Sequence, residues 1–560
     1  MLNISHPPRP FLDLAERYPA FVDAVLIHRS GNLNLARQHY QALIDLPELT
    51  GACLHQLGAI ALAREDYAVA IPLFRFAYQC APQRPVCLYS LADALDRAGD
   101  RPGLLTTLVN LGCALGTAKR SEEMEAVYRQ TLELDPLNYP SYVNLGTSLI
   151  GPNRLAEAVQ LVFRAVMLYG RIEKQVALFA DDLRERLSDR VRLPEQSDLP
   201  PGTPTGPLEK IQDALTTLGK IMSEYCWIHE AVLCHRFSVK MEPGFPVGHW
   251  NLSLALLGVG EHAEAWREYE WRWHWPDFPD ARRPLPIRPW RGEPLEGKRI
   301  LVWGEQGYGD AIQFATLVNP LADRGAIVTF EVRSDLDRLF ASSLPKVKVV
   351  SALEDNPFKL NPDEFDFTCA HLSLPHFLGI DETQLPLGRN YLSPEPEDVE
   401  RWSQKIPQVD GLRVGIIWAG RAQPDPRRSI PFEDLAPLFD HREIKWYSLQ
   451  VGDPSNDIPA IGNAAIESLG PMLTDFEETA AVMMNLDLII TLDSSPAHLA
   501  GALGRPTWVL LPYVSDWRWE PRERSESIWY PSMRKFQQTV QDDWSTVIEE
   551  VSAALELLTA

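Results

Sequence analysis

Hydrophobic positions in the first half of the chain recur in helical register, and comparing the chain with itself exposes a period of 34 residues. Leu54, Leu88, Leu108, Tyr142, Leu215 and His249 each open a set in which a large residue is followed three positions later by an apolar one and then by a small one. The sets are Leu54/Leu57/Gly58, Leu88/Leu91/Ala92, Leu108/Leu111/Gly112, Tyr142/Leu145/Gly146, Leu215/Leu218/Gly219 and His249/Leu252/Ser253. Starts 54 and 88, 108 and 142, and 215 and 249 are each offset by 34. Further positions fall where a helix–turn–helix unit needs its second helix: Ala70/Phe74/Ala77 before Pro82, Met124/Tyr128/Thr131 before Pro136, Ala158/Val162/Ala165, Ala231/His235/Ser238 before Pro243, and Ala265/Tyr269. Small residues let paired helices approach, large ones fill the space between them, and proline stops the second helix because it has no amide hydrogen for the ladder. The 20-residue step from 88 to 108 predicts a truncated or irregular unit, and the Pro-, Gly- and Thr-rich run over 199–207 predicts a loop or break.

From about Lys298 the pattern changes to short apolar runs alternating with helical segments, which predicts parallel sheets with helical crossovers. Strands are expected over 299–303, 326–332, 413–418, 445–449, 486–491 and 507–511, with a helix from about Asp310 to Arg324. These make two doubly wound lobes, whose ligands bind at the carboxyl ends of the strands. Two turns sit at such ends: Gly304-Glu305-Gln306-Gly307-Tyr308-Gly309-Asp310, and Asp493-Ser494-Ser495-Pro496-Ala497-His498. Each opens a helix, so each is suited to holding an anion on backbone amides. Ser495 followed by Pro496 reads as an N-cap and first helical residue.

Composition narrows the function classes. A net charge of −23 opposes non-specific binding to nucleic acid or an anionic bilayer. The 7 cysteines include no Cys-x-x-Cys pair, which favours a reducing compartment and no structural zinc. The first residues carry neither a basic nor an apolar leader segment, and no run approaches 18 apolar residues, so a soluble cytoplasmic protein without a membrane span is expected. The 16 tryptophans are numerous, and an aromatic stretch over 516–531 is expected to pack, either with the C-terminal helix across the lobes or against a sugar or base.

The first-half pattern resembles the tetratricopeptide repeat over roughly residues 20 to 275. The resemblance implies an α-solenoid whose concave face holds a protein or peptide, a rigid spacer being the alternative. Residues 298 to 540 resemble the ADP-heptose:lipopolysaccharide heptosyltransferase family, through Gly307-Tyr308-Gly309-Asp310, Trp418-Ala419-Gly420-Arg421 with Arg427-Arg428-Ser429-Ile430-Pro431, and the run from Asp493 to Gly504. In joining repeats to such a region the chain is also similar to the O-linked N-acetylglucosamine transferases. The resemblance implies a GT-B fold of two Rossmann-like α/β lobes, and transfer of a sugar from a nucleotide diphosphate.

On that resemblance Asp310 is the candidate base, the capping of its own helix being the alternative. Gly307, Gly309, Arg421, Arg428, Asp493, Ser494, Ser495 and His498 are candidates for donor binding, and Gln306 and Gln313 for acceptor or sugar hydroxyls. Arg428 aligns with a family lysine on the donor phosphates. The family's usual Asp-Thr-Gly-Leu-x-His keeps its Asp493 and His498 here, whereas Ser494, Ser495 and Pro496 depart from it. No Asp-x-Asp motif stands in a suitable loop, so inverting, metal-independent chemistry is expected, with the nucleotide sugar as cosubstrate and no bound cofactor. The expected organisation is an N-terminal segment over 1–19, repeats over 20–190, a Pro/Gly-rich linker over 191–207, further repeats over 208–285, and lobes over 286–400 and 401–560. A catalytically weak, repeat-based scaffold is the alternative function.

Overall fold

The computed structural model describes residues 14, 17–151, 154–202, 211–279, 283–352, 361–388, 390–421, 425–458 and 466–559. Most of the segment expected over 1–19, and the end of the linker expected over 191–207, lie outside the described residues. The chain divides into two compact units, Met1–Glu224 and Tyr225–Ala560.

The first unit is built of helices α1 (Pro19–Arg29), α2 (Leu33–Leu43), α3 (Pro47–Ala63), α4 (Tyr67–Cys80), α5 (Val86–Ala98), α6 (Arg101–Thr117), α7 (Ser121–Leu134), α8 (Tyr139–Ser148), α9 (Leu155–Gly170), α10 (Lys174–Arg186) and α11 (Ile211–Glu224). Asn32, Asp66, Asp100 and Asn138 cap α2, α4, α6 and α8 by accepting an amide three residues on. Helices α4 and α7 end just before Pro82 and Pro136. In three repeats the small residue faces a large one sixteen positions later. A Cβ on Gly58 would lie 2.8 Å from the Phe74 ring, one on Gly112 would enter Tyr128, and one on Gly146 would enter Val162.

The irregular step at 88 to 108 has a specific cause. Ala92 of α5 and Leu108 of α6 share one buried cluster at the same sixteen-residue offset, so α6 is the second helix of the unit that begins at Leu88. Gly112, also on α6, faces Tyr128 of α7, so α6 is first helix of the next unit too. One helix serves two units, and the array is an α-solenoid of tetratricopeptide type with a shared helix rather than a truncated repeat.

The second unit begins with three helices that continue the pattern, α12 (Ile228–Met241), α13 (Pro246–Val259) and α14 (His262–Tyr269). Two parallel sheets follow. The first has order β3-β2-β1-β4, with β1 (Arg299–Trp303), β2 (Ile327–Arg333), β3 (Lys348–Ala352) and β4 (Phe367–Ala370). Around it lie α15 (Tyr308–Phe314), α16 (Asn319–Asp323), α17 (Ser334–Ser343) and α18 (Leu374–Leu378). The expected single helix over 310–324 is broken by a 3₁₀ turn, Ala315–Leu317, because Pro320 near the start of α16 supplies no amide hydrogen to a continuous ladder.

Helix α19 (Pro396–Ser403) carries the chain onward and seats on α20 (Phe476–Met484), where Trp402 donates its indole N–H to Glu478 at 2.6 Å. The second sheet has order β10-β9-β8-β5-β6-β7, with β5 (Leu412–Ile416), β6 (Ile444–Ser448), β7 (Ile466–Ser468), β8 (Leu488–Leu492), β9 (Thr507–Leu511) and β10 (Met533–Gln537). Helix α21 (Ser495–Ala502) follows β8, and α22 (Ser545–Thr559) packs on β10 and the 3₁₀ stretch Phe432–Asp440. The aromatic stretch over 516–531 does pack, but elsewhere than on α22: Trp517 meets Trp266 of α14 edge-on, and Trp529 meets Phe314 of α15. All strands in both sheets pair in parallel, the arrangement of a GT-B fold with β1 and β5 in the interior of their sheets.

Candidate functional site

The chain leaves the carboxyl end of β1 through Gly304–Gly307 and enters α15. Gln306 stands at φ 60°, a left-handed conformation that a residue with a Cβ seldom adopts. Contacts on both sides hold it there. Its side-chain amide donates to the Tyr269 hydroxyl at 2.9 Å, and its carbonyl accepts from Arg333 at 2.8 Å. The Gly307 N–H donates to Asp310 Oδ2 at 2.9 Å, so Asp310 caps its own helix, as the alternative sequence reading has it.

The other Asp310 oxygen accepts from Arg518 Nη2 at 2.5 Å. Arg518 also donates to Gln313 Oε1 at 2.7 Å and to Asp516 Oδ1 at 2.8 Å. Burial pushes the Asp310 carboxyl above the usual carboxylate range, with Arg518 opposing the rise. Gln313 is buried, and its Nε2 has no hydrogen-bond partner among the described residues. Both glutamines expected to meet substrate hydroxyls are therefore engaged by protein groups, Gln306 on Tyr269 and Gln313 on Arg518.

The neighbouring carboxylate of the same turn is held in the same way. Glu305 accepts from Arg272 Nε at 3.2 Å and Nη2 at 2.7 Å, and Arg272 is fully buried. Arg272 donates further to Glu270 and Ser373, each at 2.8 Å. Both arginines sit in identical tripeptides, Trp271-Arg272-Trp273 and Trp517-Arg518-Trp519. Each guanidinium carbon lies 4.1 Å from the centroid of a tryptophan ring of its own tripeptide. Two Trp-Arg-Trp clamps thus fix two acids five residues apart.

Across from this turn, β8 ends at Leu492 and the chain enters α21. The N-cap is Ser494 rather than the expected Ser495. Its hydroxyl bonds back to the Leu492 carbonyl at 3.3 Å and caps no amide of α21, and Pro496 is the second residue of that helix rather than the expected first. Asp493 is buried and pushed up to about 6 by that burial, with Asp516 adding to the rise. The His498 Nδ1 and the Tyr530 hydroxyl share a hydrogen bond of 3.0 Å, and the imidazole stacks on Trp519. Burial, and then Arg518, drive His498 down to about 3, so it is neutral at physiological pH. The two turns touch: a Cβ on Gly309 would lie 2.8 Å from His498 Cδ2.

Arg428 and Arg421 fall in the loop after β5 and part company. Arg428 donates to the carbonyls of Asp425, Asp493 and Arg421 at 3.1, 3.0 and 3.1 Å, which ties that loop to the end of β8. Its guanidinium is thus engaged by three backbone carbonyls. Arg421 is exposed, with its guanidinium carbon 5.9 Å from the Tyr308 ring centroid; that of Arg333 lies 5.0 Å from the same ring. Two cations therefore flank the first residue of α15. Ser495 is half-buried at the start of α21.

The structure brings together Gly309, Asp310, Gln313 and His498, sets Asp493 within electrostatic reach of Asp516 and Arg518, and turns Gln306 toward the last repeat helix. Arg272 escaped the sequence reading, and Arg518 and Tyr530 entered it only as part of the aromatic stretch over 516–531, although the repeated Trp-Arg-Trp tripeptide was a visible signal for both arginines. Such an arrangement can accept a proton at a carboxylate of raised pKa and present a helix N-terminus and arginines to a diphosphate. Among the described residues no group of three or more His, Cys, Asp or Glu is placed to hold a metal ion, and no helix is long and apolar enough to cross a membrane.

Residues 466–542, which include the Asp493–His498 turn, match Glycosyltransferase family 9 (heptosyltransferase). Protein FlbA of Caulobacter vibrioides is 28% identical over 355 residues, 58% of this chain and 58% of FlbA, so the chain spans little more than half the length of that relative. Among solved structures, E. coli ADP-heptose LPS heptosyltransferase II is similar at 16% identity over 46% of this chain and 99% of its own, with a TM-score of 0.35. MamA is similar at 14% identity over 38% of this chain and 91% of its own, with a TM-score of 0.21.

Proposed function

We propose that the chain is an inverting glycosyltransferase that moves a sugar from a nucleotide-diphosphate donor to a protein or glycan acceptor recruited by its repeats. The observation that carries this reading is the contact of Gly309 with His498, which sets the Asp310 turn of one sheet against the helix start after Asp493 of the other. The acceptor hydroxyl gives its proton to Asp310 as its oxygen bonds the anomeric carbon. The bond from that carbon to the diphosphate breaks with inversion. Charge gathering on the leaving diphosphate is met by the N-terminus of α21 and by Arg421, so the reading needs no metal. Asp310 takes up the proton against its pairing with Arg518, whose guanidinium keeps Asp516 as a second partner.

A scaffold with a retired site is the second reading, favoured by the engagement of both Asp310 oxygens and both glutamines. A panel of UDP-, GDP- and ADP-sugars separates the two. The transferase reading expects one donor to raise the melting temperature and to be turned over by the native chain but not by Asp310→Asn. A chain that no donor stabilises is a scaffold.

A further inference from the structure

A cavity of about 430 Å³ opens at the carboxyl ends of β1 and β4, away from Asp310 and His498. Its walls are Trp273, Trp290, Trp303, Phe377, Leu285 and Ile287. The chain that closes it runs on from α14, the last repeat helix, and then pairs along the edge of β4, where Trp290 N–H donates to the Thr368 carbonyl at 2.8 Å. The volume is that of a small-ligand site, and its place is where ligands of parallel sheets bind.

Its chemistry selects an apolar guest. Of the polar groups in the lining, Glu270 holds Arg272, Arg283 holds Glu331, Thr368 bonds the Leu301 carbonyl, Ser373 accepts from Arg272, and the Trp290 indole N–H bonds the Glu293 carbonyl, while His274 and His376 lie against the rings of Trp271 and Phe377. A sugar or phosphate needs several directed hydrogen bonds, and most of the polar groups here are committed elsewhere. Ring faces are on offer instead, with Arg291 exposed at the rim. In a chain of net charge −23, that cation favours a carboxylate beside the apolar group.

We infer that this cavity is an anchor for an aromatic side chain of a polypeptide, next to an acidic residue, held apart from the transfer site. The inference rests on the transferase reading only in taking that polypeptide as the acceptor.

The test is saturation-transfer NMR on the full chain with N-acetyl-Phe-Glu-amide, N-acetyl-Ser-Glu-amide, N-acetyl-Phe-Lys-amide and maltose. The Phe-Glu probe is expected to bind best. Leu285→Trp, which fills the cavity, should weaken it at least tenfold, and Arg291→Glu should transfer the preference to Phe-Lys. Equal binding of Phe-Glu and Ser-Glu, a Phe-Glu signal unchanged by both variants, or a maltose signal that Leu285→Trp removes would each overturn the anchor. Should Leu285→Trp not fold, the exposed Arg291→Glu carries the test alone. Peptide binding without donor turnover sinks the transferase reading and leaves the anchor standing; donor turnover without peptide binding does the reverse.

Discussion

The guanidinium of Arg518 reaches back 208 residues to the carboxylate of Asp310, 2.5 Å away, and holds the proposed base in an ion pair. With only 11% and 16% of the two side chains exposed, removing one partner strands the other. Arg518→Gln should cost about 3 kcal/mol, read as a lower denaturation midpoint. It should also move the acid limb of the pH–rate profile upward, because the Arg518 charge no longer opposes the rise that burial causes in the Asp310 carboxyl. A profile that stays put would remove Arg518 from the control of that acid.

Asp493 carries a pH signature of its own. Its carboxyl titrates near 6 in the fold, above the unfolded value of 3.8, so the folded state binds the proton more tightly. Stability therefore falls as pH rises from 3.8 toward 6 and stays lower beyond. The loss is on the order of 3 kcal/mol. Asp493→Asn should raise the melting temperature at pH 8 and leave it nearly unchanged at pH 3.5. An equal shift at both pH values would contradict the burial of a charged Asp493.

The two loop arginines should separate stability from binding. Arg428→Ala loses three hydrogen bonds to carbonyls and should destabilise the chain by about 1–2 kcal/mol. Arg421→Ala, at an exposed position, should leave the melting temperature alone and weaken nucleoside-diphosphate binding about tenfold, near 1.4 kcal/mol. Calorimetric titration with UDP, GDP and ADP checks both, and unchanged affinity in Arg421→Ala excludes it from the donor site.

In the repeat array, Gly146→Ala drives a methyl group into Val162, and Gly112→Ala drives one into the Tyr128 ring. Each should cost about 1–3 kcal/mol through overpacking. Gly99→Ala meets no neighbour and is strained only by its φ of 74°, so its smaller loss in chemical denaturation serves as the control.

A fragment of residues 225–560 should fold, whereas one of residues 286–560 should aggregate. The shorter piece loses Arg272 from the buried Glu305 and Trp266 from Phe314 and Trp517. Size-exclusion chromatography and near-ultraviolet circular dichroism compare the two. A monomeric, ordered 286–560 would mean the last repeat helices are dispensable to the lobes.

Much of this architecture was legible because it is local. The 34-residue period and sixteen-residue partners lie within neighbouring helices, and six apolar runs marked six strands. Strands β3, β4, β7 and β10 escaped notice for particular reasons. β7 has three residues, β4 four, β3 is an edge strand with Lys348 and Ser351 exposed, and β10 carries Arg534 and Lys535. Both turns could be read as helix starts, and the capping by Asp310 followed. Its pairing with Arg518 could not, since an ion pair between residues 208 apart leaves no periodicity in either neighbourhood. Arg428 shows the converse: its residue type suited a phosphate, but only the fold reveals the carbonyls around it.

Gly309 acts as a gauge block between the two sheets. The width of the gap there is set by an atom that glycine lacks, for any Cβ at 309 would press on His498. His498 in turn is backed by Trp519 and Tyr530 and has little room to retreat. A single methyl group at this point would wedge the lobes ajar, and the distance from acceptor oxygen to anomeric carbon would be the dimension thrown out of tolerance.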